Sequence, residues 1–205
     1  IVLALPSWLY LSNRSAGAIT ATGPSPSRCE PLPVSTTNTV TVSTVSELQN
    51  AVDNLTSDTT ILIADGTYDL TNTLNVRGVA NVALRSASGN RAAVVLRGRG
   101  MSNANYGNVP HVLAVYDASH VLIADLTLRD AYFHNVQIHG EADADHVRLS
   151  NLHVIDAGEQ LIKGSSAGAP GPYADYGIVE CSLLEYTNRA RSWYTLSLIH
   201  ISEPT

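Results

Sequence analysis

The sequence is short of charge, of bulky side chains and of cysteine. Charged residues make up 15% of its 205 positions, and one Phe, one Met and two Trp are present. With 12 Lys and Arg against 18 Asp and Glu, the net charge is −6, so the chain lacks the positive field that a phosphate backbone requires. This excludes nucleic acid as the expected partner. The two cysteines, Cys29 and Cys181, form neither a C-x-x-C zinc spacing nor a disulfide framework, and one long-range bridge or two thiols both remain open. No run of eighteen apolar residues occurs, so no membrane span is expected. What is present is 44% hydrophobic, and with so few large aromatics the interior must be built from Val, Leu, Ile and Ala. That mixture favours strands.

Both ends differ from the middle. Residues 1–11 (IVLALPSWLYL) are apolar and are followed by Ser15, Ala16, Gly17 and Ala18, which reads as a truncated signal peptide over 1–18. It predicts secretion, or a place at the cell surface or in the periplasm. Residues 19–41, rich in Thr, Ser and Pro, bury too little to fold alone and read as a disordered linker. Residues 196–205 (LSLIHISEPT) match in order the translation of a transposase-type sequencing adapter, so they read as an artefact, with no chemistry assigned to His200 or Glu203. The folded domain is expected over 42–195, incomplete at its C-terminal side.

Within that domain the chain repeats itself. His120 and His146, Val121 and Val147, Ile123 and Leu149, Asp125 and Asn151, Leu126 and Leu152, Leu128 and Val154 all share one separation, that of a single repeat. A third copy begins at Asp175, slightly further beyond Asp145, with Cys181 in the place of Asp125 and Asn151. The Gly/Pro loop at 164–172 takes up the extra length. In each copy apolar residues alternate, stop at a small polar residue, and resume, which reads as short strands joined by tight corners. One such unit cannot bury its own apolar face, whereas stacked copies form a continuous core. The expected fold class is therefore all-β, a right-handed parallel β-helix truncated at the C-terminus, with Asp125, Asn151 and Cys181 stacked as a corner ladder. Short strands are also expected around 62–63, 68–70, 74–76, 82–84 and 94–96.

Ahead of them, Val45, Leu48, Val52 and Leu55 recur at helical spacing behind Ser43 or Thr44 as N-cap, with Glu47 nearby. This predicts one amphipathic helix capping the first coil. The stretch 42–52 (VSTVSELQNAV) followed by 61–68 (ILIADGTY) resembles the opening of the pectin-lyase-like right-handed β-helix superfamily, and the resemblance spans 42–195. It implies that fold and leaves lyases, hydrolases, esterases and adhesins as possible activities.

In polysaccharide-active members of that superfamily, substrate lies along the outer face of the first sheet. Strands expected there are 112–116, 136–140 and 161–164. If Val115, Ile138 and Ile162 point inward, the period of two places Tyr116, His139 and Lys163 outward in one column, with Gln137 beside it. These residue types suit β-elimination from a uronate, which needs a base, a proton donor and a cation near the carboxylate. Lys163 is expected as base, His139 or Tyr116 as proton donor, and Gln137, His134, Arg189 and Arg191 as substrate-binding groups. The segment 158–166 (GEQLIKGSS) also resembles the acidic-to-Lys-Ser segment of alginate and chondroitin lyases, where the Lys is the base and an Arg comes from the next coil. Glu159 and Asp156 are the candidate Ca²⁺ ligands. The expected function is a polysaccharide lyase acting on acidic glycans; the alternative is a non-catalytic, adhesive β-helix that binds glycan through the same face.

Overall fold

The computed structural model describes residues 32–33, 38–168, 170–187 and 199–201. The leader at 1–18, most of the linker, and Arg189 and Arg191 lie outside the described residues. Folded structure begins ahead of the expected boundary, with β1 (Thr39–Val42). The one α-helix among the described residues, α1 (Val45–Asp53), follows at once. The Thr44 hydroxyl accepts from the Glu47 N–H while the Glu47 carboxylate accepts from the Thr44 N–H, a reciprocal pair that satisfies two helix-end donors. Leu48 and Val52 fall on one face of the helix and are buried, so α1 seals one end of the strand stack.

Thirteen further strands follow among the described residues: β2 (Thr60–Ile63), β3 (Gly66–Asp69), β4 (Asn72–Ser86), β5 (Val94–Arg97), β6 (Asn108–Ala124), β7 (Thr127–Ala131), β8 (Val136–His139), β9 (Arg148–Ser150), β10 (His153–Ala157), β11 (Ile162–Ser165), β12 (Ile178–Glu180), β13 (Leu183–Glu185) and β14 (Ile199–Ile201). Every pairing between them is parallel. One sheet runs β1, β2, β4, β6, β8, β11, β14, with β9 joined to β6 and β12 to β9; the other runs β3, β5, β7, β10, β13. Each strand thus pairs with its counterpart one repeat later. Part of the segment read as an artefact, β14, pairs with β11 in this way.

The corners explain why the repeat tolerates these sequences. Asp125, Asn151 and Cys181 all take positive φ, at 60°, 50° and 54°. Asn and Asp enter this left-handed region more readily than most residues. Asn151 Nδ2 donates to Asp125 Oδ1 at 2.9 Å, so the expected ladder is a hydrogen-bonded one. Below it, the buried Arg85 guanidinium donates to Asp125 Oδ2 at 2.7 Å and to the carbonyls of Leu32 and Pro33. A second corner stacks His120, His146 and Tyr176, also at positive φ, with ring centroids 4.4 and 4.6 Å apart. Cys181 is disulfide-bonded, which removes the free-thiol alternative for it; Cys29 lies outside the described residues. Between the sheets, Leu74, Leu84, Leu96, Leu113, Ile123, Leu128 and Leu149 are fully buried in an aliphatic interior.

Candidate active site on the outer face of the longer sheet

Leu74 and Val76, Leu113 and Val115, Val136 and Ile138 point into the core, so alternate residues of β4, β6 and β8 face outward. Strand register sorts these outward residues into two columns. Arg77 pairs with Tyr116, and His139 pairs with Ser165; between them the Tyr116 ring lies on the His139 imidazole. The neighbouring column runs Asn75, Ala114, Gln137, Lys163.

This corrects the expected single column of Tyr116, His139 and Lys163. Val136 pairs with Ile162, the same separation that relates Asp125 to Asn151, so Lys163 falls opposite Gln137 and Ser165 takes the place beside His139. Alignment of His139 with Lys163 requires a coil two residues shorter than the period that the corner ladders impose. Lys163 is therefore displaced along the strand by about 6–7 Å from the Tyr116/His139 column, and faces it diagonally.

The first column is tightly connected. Arg77 Cζ sits 4.9 Å from the Tyr116 ring centroid, and the Tyr116 and His139 centroids are 3.9 Å apart with planes 14° from parallel. Burial pushes the Tyr116 hydroxyl above its ordinary pKa, so it stays a neutral phenol. A one-turn 3₁₀ helix at Gly140–Ala142 brings Glu141 back to the face. His139 Nδ1 and Glu141 Oε1 are 2.6 Å apart, the Ser165 hydroxyl donates to Glu141 Oε2 at 2.5 Å, and Gln137 Nε2 donates to Ser165 Oγ at 3.0 Å. Burial raises the Glu141 carboxyl, but the hydrogen bonds from Ser165 and His139 outweigh it and hold the group below the usual range. His139 Nε2 is buried and has no hydrogen-bond partner.

At the start of β8 a second imidazole pair is packed beneath the face. His111 and His134 stack with centroids 5.2 Å apart and planes at 12°. The His134 N–H donates to His111 Nδ1, while His134 Nδ1 donates to the Gln160 carbonyl at 3.1 Å. Burial pushes both down, His111 to about 4 and His134 to about 3. The charges of His139 and Lys163 add to the depression in each case, and His111 lowers His134 further. His134 is thus a buried support, which corrects its expected role as a group that binds substrate directly.

The candidate calcium ligands, Asp156 and Glu159, each have protein neighbours of their own. Both Asp156 oxygens accept from Thr187, Oδ1 from its N–H at 2.6 Å and Oδ2 from its hydroxyl at 2.5 Å. Asp156 is fully buried, and Glu159 faces His134 Nε2 at 3.5 Å. Among the described residues no group of three His, Cys, Asp or Glu side chains is arranged to hold a metal.

Three residues of the face escaped the sequence reading: Arg77, Glu141 and Ser165. Arg77 and Tyr116 are further apart in sequence than one repeat, because the 98–107 loop lengthens that coil. Glu141 belongs to no strand, and only the 3₁₀ turn returns it to His139.

No protein-family model and no curated protein sequence matches the chain. Among solved structures, the crystal structure of alginate lyase from Paenibacillus sp. str. FPU-7 aligns with a TM-score of 0.57 at 21% sequence identity. The alignment covers 72% of this chain and 45% of that one, so the likeness spans less than half of the lyase. At that identity it shows a shared fold, that of a polysaccharide lyase. No helix among the described residues is long and apolar enough to cross a membrane.

Proposed function

We propose that the chain is a right-handed parallel β-helix of the pectin-lyase-like kind that cleaves acidic polysaccharide by β-elimination on the outer face of its longer sheet. The observation that carries this reading is the gathering of Arg77, His139 and Lys163 on one face beside Tyr116, in a fold shared with an alginate lyase. An overall acidic protein that binds a polyanion must concentrate cations locally, and this face does so. The disulfide at Cys181 supports export, since such bonds persist in oxidising compartments.

In the reaction, Lys163 acts as the base that takes the proton on the carbon next to the uronate carboxylate. The electrons of that C–H bond form the C=C bond as the C–O bond to the leaving sugar breaks. The leaving oxygen takes a proton from His139 or Tyr116, the two candidate donors of the face. Arg77 offsets carboxylate charge, and Tyr116 holds the imidazole plane. Paired proton transfer of this kind contributes about 10²–10⁴-fold each to rate.

The test is incubation of the full chain with alginate, pectate and chondroitin while ultraviolet absorbance of new C=C bonds is followed. Lysis of one polymer, lost in Lys163→Ala with glycan binding retained, supports the proposal. Binding without any absorbance rise on all three replaces it with an adhesive β-helix.

A further inference from the structure

We propose that the groove walled by the 98–107 loop is a second saccharide site, separate from the Lys163 face, which holds a uronate residue through Arg99. The ligand class rests on the acidic-polysaccharide reading; the anion site itself does not. The groove has a volume of about 670 Å³, within the range of small-ligand sites. It crosses three successive coils, from Asp69 at the end of β3 past Arg97 at the end of β5 to Asp130 in β7. Thr71 also lines it, and Asn75 of the Lys163 column follows on the same coil, about 13 Å further along the strand. The two places are therefore distinct.

The loop is fastened to the next coil. The Gly98 and Gly100 N–H groups donate to the Arg129 and Asp130 carbonyls at 2.9 and 2.8 Å. A Cβ on Gly98 would stand 2.5 Å from the Asp130 carbonyl oxygen, so this approach requires glycine. The Asn103 side chain closes the loop, donating to the Arg99 carbonyl and accepting from the Asn105 N–H, both at 3.0 Å. Beyond it, Tyr106 stacks on Tyr132 with centroids 4.3 Å apart. An insertion in one coil of a solenoid often supplies a binding surface. Charge accounting picks out the ligand. Arg97 donates twice to Asp69, at 2.5 and 2.9 Å, which holds that carboxyl below its usual range, and Arg129 pairs with Asp130 at 2.7 Å. These four charges offset one another. Arg99 is exposed, and among the described residues no carboxylate lies within ion-pair distance of its guanidinium, which rests against Gly107. The groove thus has one uncompensated cation, whose planar fork of donors matches a carboxylate. The spare lone pairs of Asp69 and Asp130 suit sugar hydroxyls, and their charge disfavours a dianion such as phosphate. A sugar carrying a single carboxylate meets all three requirements.

The experiment is NMR of the full chain while glucuronate is added, and of Lys163→Ala while an intact uronate oligosaccharide is added. Both ligands should shift the Arg99 Nε–H signal, assigned by its loss in Arg99→Gln, and the amide signals of Gly98, Gly100 and Gly107. The shifts should shrink as salt rises from about 0.01 to 0.15 M. Arg99→Gln should weaken binding read at the glycine amides by about threefold or more. If that variant does not fold, the glycine amides of the parent decide. Loop signals unmoved by both ligands overturn the proposal, and equal movement with acetate or with a neutral oligosaccharide overturns the assigned ligand. On a cleaved polymer, Arg99→Gln should raise KM by about threefold with kcat within about twofold. Cleavage with KM unchanged overturns the second site and leaves the lyase reading standing. Loop shifts without cleavage of any polymer leave the site standing and remove the lyase reading.

Discussion

The Tyr116 ring lies flat against the His139 imidazole, 3.9 Å between centroids, with Arg77 over the same phenol ring 4.9 Å from its centroid. This stack crosses three successive coils. It turns three separate strands into one surface of fixed geometry, and it sets how the outer face behaves on substitution.

If the phenol serves as a platform, its hydroxyl is dispensable. Tyr116→Phe should retain lyase activity within about threefold of the parent, while Tyr116→Ala, which removes the ring from His139, should lose more than tenfold, since small misplacement of a reacting group costs up to about 10² in rate. Steady-state rates on the cleaved polymer check this. A large loss in Tyr116→Phe would instead make the hydroxyl the proton donor.

The buried pair Arg85–Asp125, 2.7 Å apart with both side chains almost fully buried, ties the incoming chain to the first corner ladder. Replacing one partner leaves the other charge unpaired in the interior. Asp125→Ala is expected to destabilise the fold by about 3–5 kcal/mol, whereas the double replacement Arg85→Met with Asp125→Leu should recover much of that loss. Urea unfolding of the three proteins measures it. Equal destabilisation of single and double variants would show that the charges do not depend on one another.

His111 and His134 give the fold a pH dependence with a definite sign. In the folded chain they take up protons only near pH 4 and 3, while an unfolded histidine does so near 6.5. Between these limits the unfolded state binds more protons, so stability rises with pH across the window and is progressively lost as pH falls from about 6.5 toward 4. For each group the loss is on the order of 1.4 kcal/mol for every pH unit that separates its folded and unfolded titrations. Unfolding midpoints measured from pH 7.5 to 4 should decline through this window, and His134→Gln should flatten the decline. Proton NMR titration of either imidazole with a midpoint near 6.5 would contradict it.

Gly140 lies where a side chain has no room. A Cβ there would meet the Ala174 N, the Ser165 carbonyl oxygen and the Tyr173 carbonyl carbon, all of them backbone atoms. Gly140→Ala should therefore push the 171–175 segment off the face and cost about 1–3 kcal/mol, as overpacking usually does. Because Gly140 directly follows His139, His139 should shift with it, visible as a change in its NMR signals. Unchanged stability and unchanged His139 signals would show that the segment yields freely.

The corner ladders were legible in the sequence because stacked repeats write their period directly: Asp125 and Asn151 recur at the same interval as His120 and His146, and both pairs stack at left-handed corners. The helix was legible from Thr44, Glu47 and the Val45, Leu48, Val52 spacing. The column of the outer face was less so. Its register depends on how many residues each turn consumes, and alternation alone cannot distinguish Lys163 beside His139 from Lys163 beside Gln137, since both are outward. Glu141 and Ser165 were invisible for a related reason. They meet across a 3₁₀ turn and a coil boundary, and neither has a periodic signature. The contacts of Asp156 with Thr187 and of Glu159 with His134 were not legible either, because spacing between carboxylates says nothing of groups that arrive from other turns.

Elimination and hydrolysis differ in whether water enters the product, and this is the most direct test of the central claim. Oligosaccharides released by the full chain from a uronate polymer in oxygen-18 water should carry an unsaturated end, weigh one water less than hydrolysis products, and contain no oxygen-18 from the cleavage step. Lys163→Ala should release none. Saturated products that carry one oxygen-18 per cleavage would show a hydrolase, and the absence of product from every uronate polymer would contradict the lyase account.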